Sequence, residues 1–214
     1  MSGKVILFDF DGTLLYTIPD LGDAVNYGLS RYGYATHDYD TIQSFVGNGV
    51  RKLVERALPE GEKNPDFDKV FAAFNEYYDL HCVDKTAPYE GIMEMLKTLH
   101  DRGERMAIVT NKYQAAAEEL RARFFGEYIP IIEGDLPGRE RKPDPAPVLA
   151  AIRALGAEGE KAVYIGDSEV DYMTAANSGT DFIAVAWGYR DVDFLKAIGA
   201  EKIAYTPADI PNMI

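Results

Sequence analysis

The chain has a single cysteine, Cys82, in 214 residues. No intramolecular disulfide can form, which fits a reducing compartment. Cys82 falls in an apolar helical pattern and is expected as a small buried filler. No apolar run approaches the length that crosses a bilayer. Met1-Ser2-Gly3-Lys4 leads straight into a strand-like run without the apolar stretch of a secretion signal. A cytoplasmic protein with no membrane partner is therefore expected. Basic residues are in deficit, with 22 Lys and Arg against 35 Asp and Glu and a net charge of −13. Such a field repels polyanions, so nucleic acid is not an expected partner. An anionic small molecule would have to be met locally, by a metal ion or by a few placed cations. The histidines, His37, His81 and His100, are scattered without metal spacing. Internal repeats and low-complexity segments are absent. Against these absences, 47% apolar residues are enough for one core, or for a core carrying a smaller appendage.

Short apolar runs alternate with helical patterns over most of the chain. Val5-Ile6-Leu7-Phe8, Arg105–Val109, Tyr128–Ile132, Ala162–Ile165 and Phe182–Ala186 read as strands, with Pro130 marking an edge or a short strand. Helices are expected near 90–102, 113–124, 145–155 and 169–178. This alternation predicts an α/β fold, a Rossmann-like parallel sheet with helices on both faces. Right-handed crossovers put the C-terminal strand ends on one rim, and Asp9, Thr110 and Asp167 fall on such ends. Residues 16–84 break the pattern and contain no convincing strand. Helices are expected near 19–32, 39–46, 49–58 and 66–82. Phe67, Val70, Phe71, Phe74, Tyr77 and Tyr78 form a stripe that reads as packing. The expected organisation is an α/β core of 1–15 and 85–214 with an inserted all-helical cap of 16–84. An insert placed beside the ligand rim can act as a lid.

Four segments carry candidate chemistry. In Asp9-Phe10-Asp11-Gly12-Thr13, two carboxylates two residues apart point the same way from a buried strand, and Gly12 permits a sharp turn. Such a pair can hold a hard cation and act as nucleophile and proton-transfer group at phosphorus; two solvated turn aspartates would read alike. Thr110 can donate a hydroxyl and Asn111 a backbone amide to a phosphoryl group, although a strand-to-helix turn explains Thr-Asn by itself. Lys142, ahead of Pro143-Asp144-Pro145, can neutralise phosphoryl charge and Asp9 together, and taken alone it also reads as an exposed surface lysine. Asp167 and Asp171 stand at i and i+4 around a helix start, where capping by acids is an alternative explanation. Acids converging on one rim repel unless a cation is present. Mg²⁺ suits oxygen ligands and substrate phosphate.

In this order the four segments resemble the haloacid dehalogenase superfamily of phosphohydrolases over the whole chain. The resemblance implies that Asp9 is the nucleophile, Asp11 the acid/base, Thr110 the phosphoryl donor and Lys142 the cationic partner. It implies Mg²⁺ held by the Asp9 side chain, the Asp11 main-chain carbonyl and Asp167, with Asp171 nearby or acting through water. The helical insert resembles the family's C1 cap. A dehalogenase would lack the second carboxylate of the opening segment, so Asp11 favours phosphate chemistry.

Phe45-Val46-Gly47-Asn48-Gly49-Val50-Arg51, Val109-Thr110-Asn111-Lys112 and Gly134-Asp135-Leu136-Pro137 are similar to segments of phosphoglycolate phosphatases. The Gly47-Asn48-Gly49 turn can offer backbone amides to an anion such as a carboxylate, assisted by Arg51. An ordinary helix–turn–helix link accounts for the same residues equally well. Where the family often has Asp-Ser, this chain has Leu15-Tyr16-Thr17, with Asp20 later, and Gly138-Arg139-Glu140-Arg141 recharges the approach to Lys142. The expected activity is a Mg²⁺-dependent phosphomonoesterase acting on a small anionic phosphate ester, with 2-phosphoglycolate leading, from a monomer or homodimer. Inorganic pyrophosphatase, sugar-phosphate mutase and a non-catalytic binding protein on the same fold are the alternatives.

Overall fold

A computed structural model describes residues 3–214. In chain order the elements are β1 (Val5–Phe8), β2 (Leu15–Tyr16), α1 (Ile18–Arg31), α2 (Tyr39–Phe45), α3 (Val50–Ala57), α4 (Phe67–His81), β3 (Ala87–Pro88), α5 (Ile92–Asp101) and β4 (Arg105–Tyr113). Then follow α6 (Gln114–Phe124), β5 (Ile131–Asp135), α7 (Ala146–Ala154), β6 (Ala162–Gly166), α8 (Glu169–Ser178), β7 (Asp181–Val185), α9 (Val192–Ala197), β8 (Ile203–Ala204) and α10 (Ile210–Met213). The chain divides into two compact units, one made of the segment through Leu15 together with Pro88–Ile214, the other of Tyr16–Ala87.

In the first unit six strands form one sheet in the order β5-β4-β1-β6-β7-β8, and every adjacent pair is parallel. The two central strands β1 and β6 are buried along their whole length, as strands covered on both sheet faces are. Val5, Leu7, Ala107, Val109, Ala162 and Tyr164 share one face with Val148 and Ala151 of α7 and Ala175 of α8. The alternate residues Ile6, Phe8, Met106, Ile108 and Ile165 are buried as well. The chain steps outward from β1 through β4 to β5, then returns to β6 on the other side of β1. Such a reversal of strand order opens the crevice where open α/β sheets bind ligands.

Some boundaries differ from those expected. The strand placed at Tyr128–Ile132 begins instead at Ile131. The Tyr128 and Ile129 amides both donate to the Phe125 carbonyl, at 2.9 and 2.8 Å, so these residues finish the turn after α6. Pro130, with no amide proton, then separates turn from strand. β4 runs on to Tyr113, well past Val109. The short elements α9, β8 and α10 carry too little periodicity to be read from sequence.

The helical unit is built around α1 and α4. Gly28 lets them approach closely: a Cβ there would lie 2.8 Å from the Val70 carbonyl oxygen. Tyr27 and Tyr77 stack at 4.8 Å. Of the aromatic stripe, Phe67, Phe74 and Tyr78 are buried, and Phe67, Phe71, Phe74 and Tyr78 stack in sequence along α4. Cys82 is buried just beyond. Asp20, buried in the first turn of α1, accepts from the Lys85 amide at 3.0 and 3.1 Å and from the Thr86 amide at 2.8 Å. This clamp keeps residues 85–87, placed with the core from sequence, in the helical unit.

Candidate active site

Register assembles the site. Phe8 is paired with Ile108 on one side and Ile165 on the other. The residues that follow each strand therefore emerge together, and the Asp9 amide still donates to the Ile165 carbonyl at 2.8 Å. After Asp9 the chain turns tightly. Gly12 has φ +89°, its amide donates to the Leu15 carbonyl, and a Cβ on it would collide with the Asp167 carboxylate at 2.5 Å. A glycine is required there on both counts.

Lys142 is at the centre and is buried, not the exposed lysine that its sequence context also allowed. Its ammonium reaches Asp9 Oδ1 at 2.6 Å, Asp171 Oδ1 at 2.8 Å and the Tyr164 hydroxyl at 3.0 Å. An ammonium has three protons to donate, and these three acceptors account for them. Tyr164 in turn donates to the Val109 carbonyl at 2.9 Å, which anchors the lysine to β4 and β6 at once. Asp171 Oδ2 accepts from the amides of Asp167 and Ser168 and from the Ser168 hydroxyl. Asp171 thus caps α8 as the third residue of the helix, closing a capping box begun by Ser168. Asp167 precedes that cap and is not helical; the strand end of β6 brings it in. Its Oδ1 accepts from the Thr13 hydroxyl at 3.1 Å and its Oδ2 from the Tyr189 amide at 2.8 Å.

Carboxylate oxygens of Asp9, Asp167 and Asp171 all lie within 4.8 Å of one another. Burial, then the neighbouring Asp171 charge, pushes Asp9 well above the usual carboxylate range, and Lys142 only partly offsets this. The same two causes push Asp167 up to about 7. Burial opposes the charge on Lys142, but Asp171 and Asp9 outweigh it and hold the ammonium firmly protonated. Carboxylates this reluctant to ionise beside one another are the donor set that a cation relieves. Counting Asp11 and Lys112, four carboxylates face two ammoniums, which leaves the charge that one divalent ion would neutralise. The residues present fit Mg²⁺.

Asp11 does not join that cluster through its side chain. Its carboxylate turns to Lys112, whose ammonium lies 2.9 and 3.2 Å from the two oxygens. Sequence reasoning assigned Lys112 no role; an alternating polar residue after a strand carries no sign that it is buried. Thr110 is buried beside it, and its Oγ accepts from the Lys112 amide at 3.2 Å, which leaves the hydroxyl proton to donate. Asn111 uses its side chain to hold the Lys142 carbonyl at 3.1 Å, tying the second segment to the third. Tyr164 and Tyr189 are further partners that no motif marked, and Thr13 lies in the opening segment but was given no role of its own. Gly47, Asn48, Gly49 and Arg51 lie in the helical unit. There Gly47 and Gly49 have φ +126° and +83°, and Asn48 Oδ1 accepts from Arg56 at 2.6 Å. Arg51 pairs with Glu62 at 2.8 Å and lies over the rings of Phe67 and Phe71.

The chain belongs to the haloacid dehalogenase-like hydrolases, whose family model matches residues 6–185. Within that family, several of its relatives are phosphoglycolate phosphatases. A phosphoglycolate phosphatase from Psychrobacter arcticus is 38% identical over 201 residues, covering 89% of this chain and 86% of that protein. One from Cereibacter sphaeroides is 38% identical over 191 residues, covering 86% of each. A crystal structure from Lactobacillus delbrueckii subsp. bulgaricus, provisionally described as a phosphoglycolate phosphatase, superposes with a TM-score of 0.94 at 34% identity, covering 100% of this chain and 99% of that one.

Proposed function

We propose that this protein is a Mg²⁺-dependent phosphomonoesterase that hydrolyses 2-phosphoglycolate through an aspartyl phosphate on Asp9. One observation carries the chemistry: Asp9 sits at a strand end within 4.8 Å of Asp167 and Asp171, fixed by a buried lysine, while Asp11 is held apart by a second buried lysine. The substrate follows from the relatives, which are phosphoglycolate phosphatases over most of their length.

In the first half-reaction an Asp9 oxygen bonds to phosphorus and the phosphorus–oxygen bond to glycolate breaks. Asp11 gives its proton to the departing alkoxide. In the second, water attacks phosphorus, Asp11 takes the water proton, and the bond to Asp9 breaks to release phosphate. Thr110 donates to a phosphoryl oxygen, and Lys142 holds Asp9 in line. Asp9, Asp167 and Asp171, with the Asp11 carbonyl, would hold Mg²⁺. When bound, the ion offsets repulsion between the carboxylate and the phosphoryl oxygens. The helical unit serves as a cap that reads the leaving group, with Gly47, Asn48, Gly49 and Arg51 as its contacts. A single buried cysteine and the absence, among the described residues, of a helix long and apolar enough to cross a membrane support a cytoplasmic setting.

Phosphate release over small phosphorylated acids, sugars, nucleotides and pyrophosphate tests this reading. The highest kcat/KM is expected on 2-phosphoglycolate, lost on chelation of Mg²⁺. A preference for pyrophosphate or for a sugar phosphate, or full activity in chelator, overturns it. Net hydrolysis in isotopically labelled water places solvent oxygen in the phosphate, which a mutase does not require.

A further inference from the structure

The turn of residues 186–190, which follows β7, is fastened against Asp167 by a run of contacts. The Trp187 indole N–H donates to the Thr13 carbonyl at 3.0 Å. A Cβ on Gly188 would lie 2.2 Å from the Asp167 Cβ and 2.7 Å from its Cγ, so only a glycine lets the turn come this near. The Gly188 backbone is outside the left-handed region, so an added methyl acts on Asp167 and not on the local conformation. The Tyr189 amide donates to Asp167 Oδ2 at 2.8 Å. Arg190 then grips Glu169, the first residue of α8, at two points: Nε to Oε2 at 2.9 Å and Nη2 to Oε1 at 3.1 Å. Successive residues of the turn are thus tied to Asp167 and to the helix start just beyond it. Gly12 crowds the same carboxylate, and the Thr13 hydroxyl donates to its Oδ1. With a donor on each oxygen and backbone close by, Asp167 is held in one orientation.

We propose that Arg190 is a positioning residue for Asp167, holding the turn so that the carboxylate meets a divalent ion already oriented, and that it thereby sets the affinity for that ion. The inference rests on the reading above in which Asp167 is a ligand of Mg²⁺. Arg190 touches none of the reacting groups in that scheme; its guanidinium is committed to Glu169. A carboxylate fixed beforehand loses little freedom when an ion binds, whereas a mobile one must be ordered at the expense of affinity. The arginine fork suits this task, because two bonds to one carboxylate fix direction as well as distance. The Arg190 and Glu169 side chains are 15% and 32% exposed, so water competes with the fork only in part.

The sign of the effect separates positioning from plain electrostatics. Arg190 feels the charges of Asp167 and Asp171, so removing its own charge would by itself favour a cation. A loss of affinity is the mark of lost positioning. Mn²⁺ serves as the probe ion, its uptake by the metal-free full-length protein followed without substrate by loss of the free-ion paramagnetic resonance signal, with Mg²⁺ as competitor. Working well below the melting temperature of every variant keeps unfolding out of the measurement, so a tie made only for stability would leave the dissociation constants unmoved. Arg190→Met is expected to weaken both ions by about tenfold, the effect of losing a partner that orients a ligating group. Gly188→Ala, which displaces Asp167 with Arg190 intact, is expected to weaken them likewise. The proposal is overturned if Arg190→Met binds within about fivefold of the parent, or more tightly. It is overturned too if folded Gly188→Ala binds as the parent does; should that variant not fold, Arg190→Met decides alone. If the parent takes up no Mn²⁺, or Asp167→Asn takes it up equally well, the reading of Asp167 as a ligand fails, and this inference with it. That outcome is read before any Arg190 variant is made.

Discussion

In the α/β unit the side chains of Lys112 and Lys142 are each 3% exposed and lie against Asp11, Asp9 and Asp171. In the helical unit the pair Arg31–Glu76 is 46% and 61% exposed, and Arg51–Glu62 is about half exposed on both sides. The contacts are equally short, but their energetics differ. Charges taken out of water cost several kcal/mol each before their attraction returns anything, whereas exposed pairs contribute little and are screened by salt. A fold seeking only stability has no reason to bury two lysines among acids. The helical unit obtains its order from Gly28, the aromatic stack on α4 and the Asp20 clamp. The buried charges belong to chemistry.

The sharpest way to break this comparison is Asp9→Asn. Turnover should fall on the order of 10⁴-fold or more, while thermal melting shows the fold intact, since one member of a repelling acid cluster has been neutralised. Activity near that of the parent would remove the site. Next is Lys142→Met, which leaves Asp9 and Asp171 buried without their counter-ion. About 3–5 kcal/mol should be lost, read as a lower urea midpoint at unchanged slope. A small change would mean that the acids find other partners. In the helical unit the comparable loss comes from one carboxylate that is not in an ion pair with a buried lysine. Asp20→Ala strips the acceptor from the Lys85 and Thr86 amides, at about 2–3 kcal/mol, and hydrogen exchange at those two amides should accelerate.

The pH dependence sharpens the contrast further. Asp9 and Asp167 hold protons in the folded state at pH values where the unfolded chain has released them. Folding therefore binds protons between the ordinary carboxylate range and about pH 7, and metal-free stability falls as pH rises through that window. Melting temperatures in chelator should drop by several degrees from pH 5 to pH 7.5, and Mg²⁺ should recover most of the drop at the upper end. A flat profile, or equal Mg²⁺ effects at both pH values, contradicts the acid cluster. The smallest effect is expected from Arg31→Ala or Glu76→Ala, which should leave the melting curve unmoved in moderate salt.

Much of the sheet was legible because a strand buried on both faces must be apolar along its whole length. Val5–Phe8 and Ala162–Ile165 satisfy that rule. The Asp9, Lys142, Asp167 and Asp171 positions stood out because each falls just past such a strand, just before a helix or in its first turn. Lys112 did not stand out, since the slip in β4 register against β5 between Val109 and Tyr113, which turns it inward, leaves no trace in residue type. Tyr164 was hidden for the opposite reason: in an apolar run its ring explains it, and only the structure shows the hydroxyl between Lys142 and Val109. Tyr128 and Ile129 misled because a buried turn and a buried strand ask for the same side chains.

Trp187 donates its indole N–H to the Thr13 carbonyl at 3.0 Å, and the Thr13 hydroxyl donates to Asp167. It is also the sole tryptophan of the chain. The protein therefore carries an intrinsic fluorophore two hydrogen bonds from its acidic centre, with no second tryptophan to blur a signal excited at the indole edge. Titration by a divalent ion can be followed as a change in indole emission without any label, and the same optical trace would time each filling and emptying of the centre during turnover.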